Sequence, residues 1–312
     1  GFRAQWQGWA DTGARLFLRP NYTLSGHNMP IFYARKLAKD FSFASRNGLI
    51  GTDFDSLLGV WANQGPNLYV LGRLHARPDL SADQILNEYY AGFGPARDEG
   101  ADYFAHWEAL SDRITDAQYE RYCEEEKGGS FKDWLRVVDR VFPQAAMGKG
   151  HSLLAKAATA AVNDPVAQKR VSFLQIGLED AQRTLTARAA FRDYEKDATD
   201  KAFRAYAKAL RDLEAYRHEN EHTGFANLYY LAFRENRVWD RSLIMLREEM
   251  KRLPDPWKFA WDPKETGEAN GWQGTRFDDT KWPEIGTASA WEKQPVGAAW
   301  RKQNGSDFDG LG

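Results

Sequence analysis

Ala14-Arg15-Leu16-Phe17-Leu18-Arg19, halted by Pro20 and Asn21, is the stretch from which the fold is read. A short apolar run closed by turn-forming residues has the pattern of a buried strand. Working outward, Pro30 opens a helical pattern with Ile31, Phe32, Leu37, Phe41 and Phe43 on its apolar face, and Asn47-Gly48 end it. Leu49-Ile50-Gly51-Thr52-Asp53-Phe54 then repeats the strand pattern. A second helical stretch carries Leu68, Val70, Leu71 and Leu74 and ends at Pro78. Strand, helix, strand, helix is the rhythm of a parallel sheet or barrel. Two strands cannot close a barrel, so if residues 1–78 belong to one they are its last quarter or third.

Beyond residue 78 the pattern turns helical almost throughout, to residue 253. Ser81-Ala82-Asp83-Gln84 reads as a capping box that starts a helix with Ile85, Leu86, Tyr89 and Tyr90 on one face, ended by Gly92 to Pro95. Further helices are expected at 98–114, 131–142, 151–162, 165–193, 201–222 and 227–252. Phe203, Tyr206, Leu210 and Leu213 recur at spacings of three and four, which marks them as core. The zone is expected to be a bundle of antiparallel neighbours. Pro254 and Pro256 mark another change. Six of the twelve Trp residues follow them, among Gly and Asp, without helical periodicity. Phe277-Asp278-Asp279-Thr280-Lys281-Trp282 and Ala299-Trp300-Arg301-Lys302 read as strand edges and turns of an all-β module. The expected fold class is therefore multidomain α/β, then α, then β.

Composition narrows the function. The 312 residues hold 42 Lys+Arg against 44 Asp+Glu, a net charge of −2 that argues against a nucleic-acid partner. Twelve Trp, 13 Tyr and 18 Phe can bury too much area for a disordered chain. The longest weakly polar stretch, Leu153–Val162, is interrupted by Lys156 and falls short of the roughly 20 residues a membrane span needs, so no membrane partner is expected. Cys123 is the only cysteine, which excludes an intrachain disulfide and a multi-thiolate zinc site. Gly1-Phe2-Arg3-Ala4 is not a signal peptide and no initiator Met precedes it, so the chain is expected to be processed or part of something longer. No cofactor is indicated, and a homo-oligomer is compatible with the sequence.

Chemistry-bearing residues gather where the two strands end. Arg19 and Asn21 follow the first, and Asp53 and Asp55 follow the second. Parallel α/β folds bind ligands at the carboxyl ends of their strands. A carboxylate there can serve as acid, base or nucleophile in glycoside cleavage. Trp6, Trp9 and Trp61 offer flat apolar faces to a sugar ring. The competing reading is that Asp53 and Asp55 cap a turn or the next helix, as Asp routinely does. A second signal is His218-Glu219-Asn220-Glu221-His222, the His-Glu-x-x-His pattern in which two histidines one helical turn apart hold Zn²⁺ and the Glu acts as base. Against it stand the charged inner Glu221, the polar surroundings, and a third ligand for which only Glu235 or Asp240 offers itself. The plain reading is an exposed helix end stopped by Gly224. His27, His75, His106 and His151 are scattered and read as surface or hydrogen-bonding residues.

Several segments resemble a known family. Leu18-Arg19-Pro20-Asn21, Gly51-Thr52-Asp53-Phe54-Asp55-Ser56-Leu57, Tyr69-Val70-Leu71-Gly72-Arg73-Leu74-His75 with Pro78-Asp79, Glu88-Tyr89-Tyr90 and Phe93-Gly94-Pro95-Ala96 come in the order found late in bacterial proteins carrying domain of unknown function 4838. That domain is grouped with glycoside-hydrolase TIM barrels and is similar to the α-glucuronidase barrel; the resemblance covers roughly residues 1–110. Gly271-Trp272, Phe277–Trp282, Trp291-Glu292 and Ala299-Trp300-Arg301 resemble the sugar-binding, galactose-binding-like jelly roll of β-galactosidases and β-glucuronidases. The resemblance implies a carbohydrate-active hydrolase, a periplasmic or extracellular setting, and late-strand carboxylates on the base side of the mechanism, matched here by Asp53 and Asp55. Arg19 and Asn21 would bind substrate hydroxyls or a carboxylate, and Trp61 would be a stacking platform. The early strands, which usually carry the general acid, have no counterpart in this sequence. The expected domains are the end of a barrel over 1–78, a helical domain over 79–253, and the start of a β-sandwich over 254–312. A zinc peptidase built on His218 and His222 and a non-catalytic carbohydrate-binding module are the alternatives.

Overall fold

A computed structural model describes residues 1–19, 28–54, 59–125, 135–236, 238, 239, 241, 244, 255–286 and 293–304. The chain divides into two compact units, Gly1–Arg241 and Ser242–Gly312.

In the first unit, α1 (Phe2–Ala10) precedes β1 (Leu16–Leu18), α2 (Ala34–Arg46), β2 (Leu49–Thr52) and α3 (Trp61–Ala76). The two strands pair in parallel, with Phe17 opposite Gly51 and Leu18 opposite Thr52, and an irregularity between Leu16 and Phe17. Gly51 has a steric reason. A Cβ there would lie 2.7 Å from the Phe17 ring, so the missing side chain is the seat of the ring. α2 forms as its apolar spacing demands, burying Leu37, Ala38, Phe41 and Ala44. It ends beside Gly48, whose φ of +83° turns the chain into β2 while its carbonyl accepts from Leu16 N–H at 3.0 Å. α1 was not legible as a helix. It buries Trp6, whose indole N–H donates to the Asn47 carbonyl at 2.6 Å. Trp6 is therefore core and not the sugar-facing ring expected of it, whereas Trp9 is exposed.

The α-helices described in the remainder of the unit are α4 (Ala82–Ala91), α5 (Arg97–Ser111), α6 (Asp116–Glu125), α7 (Val138–Val141), α8 (Gln144–Ala160), α9 (Pro165–Lys196), α10 (Asp200–Asn220) and α11 (Leu228–Glu235). The capping box of α4 is complete. Gln84 N–H donates to Ser81 Oγ at 3.2 Å, and Ser81 N–H donates to Gln84 Oε1 at 2.8 Å. α9 is 32 residues long, about 48 Å at 1.5 Å per residue. Asp164 caps it by accepting from Val166 and Ala167 N–H, with Pro165 at its first position. α9 packs on α3, α7, α8 and α10 and is the spine of the unit. Phe203, Tyr206, Leu210 and Leu213 are buried, as their spacing predicts. α3 packs on both α4 and α9, so residue 78 separates no compact units.

The second unit contains a two-residue antiparallel ladder, β3 (Trp257–Lys258) with β4 (Glu284–Ile285), and the helix α12 (Pro295–Asn304). Trp272 lies edge-on to Trp282 at 4.9 Å, and Trp261 sits 4.3 Å from Trp300. Asp278 accepts from Thr280 N–H and Oγ1, closing the expected turn at Phe277–Trp282. Ala299-Trp300-Arg301-Lys302 is helical, not a strand edge. Pro at the first position and a run of Ala, Arg, Lys and Gln favour helix locally, and that preference wins.

Candidate functional site

The two parallel strands end side by side, and the chain is fixed there by a bond from Asp53 N–H to the Leu18 carbonyl at 3.1 Å. This brings Arg19 and Asp53 together. Arg19 Nε lies 3.0 Å from Asp53 Oδ2, and both side chains are more than half exposed. The guanidinium donates, so the carboxylate presents itself to solvent as an acceptor. That suits a base, a nucleophile or a ligand to a sugar hydroxyl. The next described helix, α3, begins at Trp61, eight residues after Asp53, with Val60 at its N-cap. Asn21 and Asp55 lie outside the described residues.

Trp61 opens α3 and is 46% exposed. Its position is set from outside its own helix. Asn227 N–H donates to the Gly59 carbonyl at 2.9 Å and Ala62 N–H donates to the Phe225 carbonyl at 3.0 Å. Val60 and Ala62 pack with Phe225, Ala226 and Leu231 beneath. Gly59 has φ +65°, and a Cβ on it would come 3.0 Å from the Asn227 side chain and 3.6 Å from the Trp61 indole nitrogen. The strand ends and the tryptophan are parts of one unit, held by different clamps.

His75 supports the second strand end. Its Nδ1 lies 2.8 Å from the Leu71 carbonyl and its Nε2 lies 2.6 Å from Thr52 Oγ1. A proton on Nδ1 satisfies the carbonyl, leaving Nε2 to accept from the Thr52 hydroxyl. Its ring packs on Phe41 and Phe54.

Sequence reasoning missed the polar core behind these strands. Three buried amides line α3. Asn63 Nδ2 donates to the carbonyls of Asn28 and Gly177, Gln64 to Met29, and Asn67 to Ile31, while Asn67 Oδ1 accepts from Tyr33 N–H. They hold residues 28–33, just before α2, against α3. Asn28 continues the network, donating to Asp180 and to Thr184 Oγ1 on α9. Arg217 of α10 then joins two carboxylates, with Nε 2.7 Å from Asp180 Oδ1 and Nη1 2.6 Å from Glu235 Oε2. Trp239 Nε1 also donates to Glu235. Asp180 and Glu235 are fully buried and Arg217 nearly so. Burial opposes the Arg217 charge, but the two carboxylates outweigh it and hold the guanidinium above its ordinary value. Burial also raises the Asp180 carboxyl, against the pull of Arg217. The signal in the sequence was Asn63, Gln64 and Asn67 at helical spacing on a face that would otherwise be apolar.

The His-Glu-x-x-His segment is differently arranged. α10 ends at Asn220, and His222 falls in a separate 3₁₀ turn, Glu221–Thr223, closed by Gly224 at φ +65°. His218 is 87% exposed and lies 4.0 Å from Glu221. His222 Nδ1 meets the Glu219 carbonyl at 3.1 Å. The two histidines thus do not share one continuous α-helical face. Glu235, a suggested third ligand, is bonded to Arg217, and Asp240 lies outside the described residues. No group of three or more metal-ligating side chains occurs among the described residues, and no described helix is long and apolar enough to cross a membrane.

No family model, curated protein or solved structure matches this chain.

Proposed function

We propose that this chain forms part of a glycoside-hydrolase-like protein, with its carbohydrate bound over the carboxyl ends of β1 and β2. The observation that carries the reading is the exposed Arg19–Asp53 pair at two adjacent parallel strand ends, the position at which parallel α/β folds bind substrate. The sheet itself adds support. Phe17 and Ile50 are exposed on it, whereas parallel sheets are ordinarily covered on both faces, as they would be in a TIM-like barrel. In this reading Asp53 is base or nucleophile, Asp55 its partner or a hydroxyl ligand, Arg19 and Asn21 bind substrate oxygens, and Trp61 stacks on a ring. The general acid lies on another strand. The tryptophan-rich second unit would be the start of a galactose-binding-like sandwich.

The test is a panel of polysaccharides and oligosaccharides, with turnover and binding measured separately for the native protein and for Asp53→Asn. Turnover lost while glycan binding persists supports the reading. Turnover unchanged by Asp53→Asn removes Asp53 from the mechanism. Glycan binding by both proteins with turnover by neither makes the strand ends a binding module.

A further inference from the structure

A cleft away from the strand ends has the make-up of a small-molecule site. It opens between α3, α4 and the first turns of α9, with a volume of about 570 Å³, within the range of ligand pockets. Its walls are aromatic: Tyr69 from α3, Tyr89 from α4 and Phe173 from α9. The Tyr69 and Tyr89 rings stand 5.4 Å apart at 57°. Burial raises the Tyr89 phenol above its ordinary value, which keeps it neutral.

The charges at the mouth do not balance. Glu88 is the one acidic residue of the lining, and it is already neutralised. Arg73 Nε and Nη2 grip it at 2.8 and 3.1 Å, and Tyr69 OH donates at 3.3 Å. Arg170 and Lys169 stand opposite. Arg170 Nη1 is anchored on the Gly92 carbonyl. Lys169 has no ion-pair partner among the described residues. The cleft therefore combines ring-faced walls with two cations and no competing free anion.

We propose that this cleft binds a small amphipathic anion, a ring-shaped apolar body bearing one carboxylate or sulfonate. The rings of Tyr69, Tyr89 and Phe173 take the body, and Lys169 and Arg170 take the charge. The inference is independent of the carbohydrate reading, because none of these side chains belongs to the strand-end site.

8-Anilinonaphthalene-1-sulfonate has this chemistry and reports its own binding by fluorescence. N-Phenyl-1-naphthylamine has a similar ring body without the charge. The sulfonate is expected to bind the native protein with one-to-one stoichiometry. Lys169→Glu with Arg170→Glu changes two exposed side chains and is expected to weaken it by about tenfold or more, with the neutral probe affected less than twofold. Tyr69→Ala is expected to weaken both probes. Circular dichroism melts taken alongside establish that each variant is folded. Sulfonate binding that is unchanged in the double variant, or in Tyr69→Ala, overturns the proposal.

Discussion

Two of the arginine–carboxylate arrangements in the first unit share chemistry and differ in surroundings. Arg19–Asp53 sits at the strand ends with both partners more than half exposed. Asp180–Arg217–Glu235 lies between α9, α10 and α11 with its carboxylates fully buried. Water screens the first, so it adds little to stability and its atoms remain open to a ligand. The second has exchanged hydration for mutual contact. Removing Arg217 strands two carboxylates in a medium that cannot solvate them. The same pair of residue types is thus hydrated and exposed in one place and part of the architecture in the other, and solvent decides which.

The largest effect expected follows from that contrast. Arg217→Met should cost about 3–5 kcal/mol in urea unfolding, because Asp180 and Glu235 are left facing each other without a counter-charge. Adding Asp180→Asn and Glu235→Gln to the same variant should restore part of the loss. If the triple variant is no more stable than Arg217→Met, buried charge is not the cause.

Packing around the same network gives the next effect. A Cβ on Gly177 would lie 2.5 Å from the Ala62 Cβ and 2.9 Å from Asn63 Oδ1. Gly177→Ala should therefore destabilise by about 1–3 kcal/mol through overpacking. Added helix propensity in the middle of α9 would otherwise make this change favourable. A gain in thermal stability would mean that α3 moves away from α9 without cost.

At the strand ends the order reverses. Asp53→Asn should shift unfolding by less than about 1 kcal/mol while removing the glycan turnover that the proposed function assigns to it. A stability loss as large as that of Arg217→Met would mean that the exposed pair is architectural after all.

The smallest effect concerns pH. Burial lowers His106 below the ordinary imidazole value of 6.5, the bond to the Ala146 carbonyl opposing it. The unfolded chain then takes up a proton more readily than the folded one. The stability His106 supplies is present above pH 6.5 and declines as pH falls through the lowered value. The melting temperature should drop more between pH 7.5 and 5.5 in the native protein than in His106→Asn. Equal drops would show that other groups carry the dependence.

Much of this architecture was legible locally. β1, β2, the capping box of α4 and the core stripe of α10 follow from patterns a few residues wide, and all four are present. Arg19 and Asp53 were legible as strand-end residues for the same reason. The His-Glu-x-x-His spacing was legible too, but spacing assumes a continuous helix, and α10 stops before the second histidine. Ala299–Lys302 failed in the other direction. The lack of helical periodicity in the Trp-rich zone suggested strand where the composition of Ala, Arg and Lys favours helix.

By itself, then, the sequence determined β1, β2 and most helices of the first unit, α1 and α6 excepted, because hydrophobic period and caps act over one or two turns. It also determined that polar residues follow each strand. Only the tertiary structure decided that Arg19 meets Asp53, that Trp6 is core while Trp61 is exposed, and that Asn28, Asp180, Arg217 and Glu235 form one buried network. Bonded partners among those residues lie far apart in sequence, Asn28 and Asp180 by 152 positions. No local pattern encodes which polar side chain will lose its water, since desolvation depends on what the remainder of the chain packs against it.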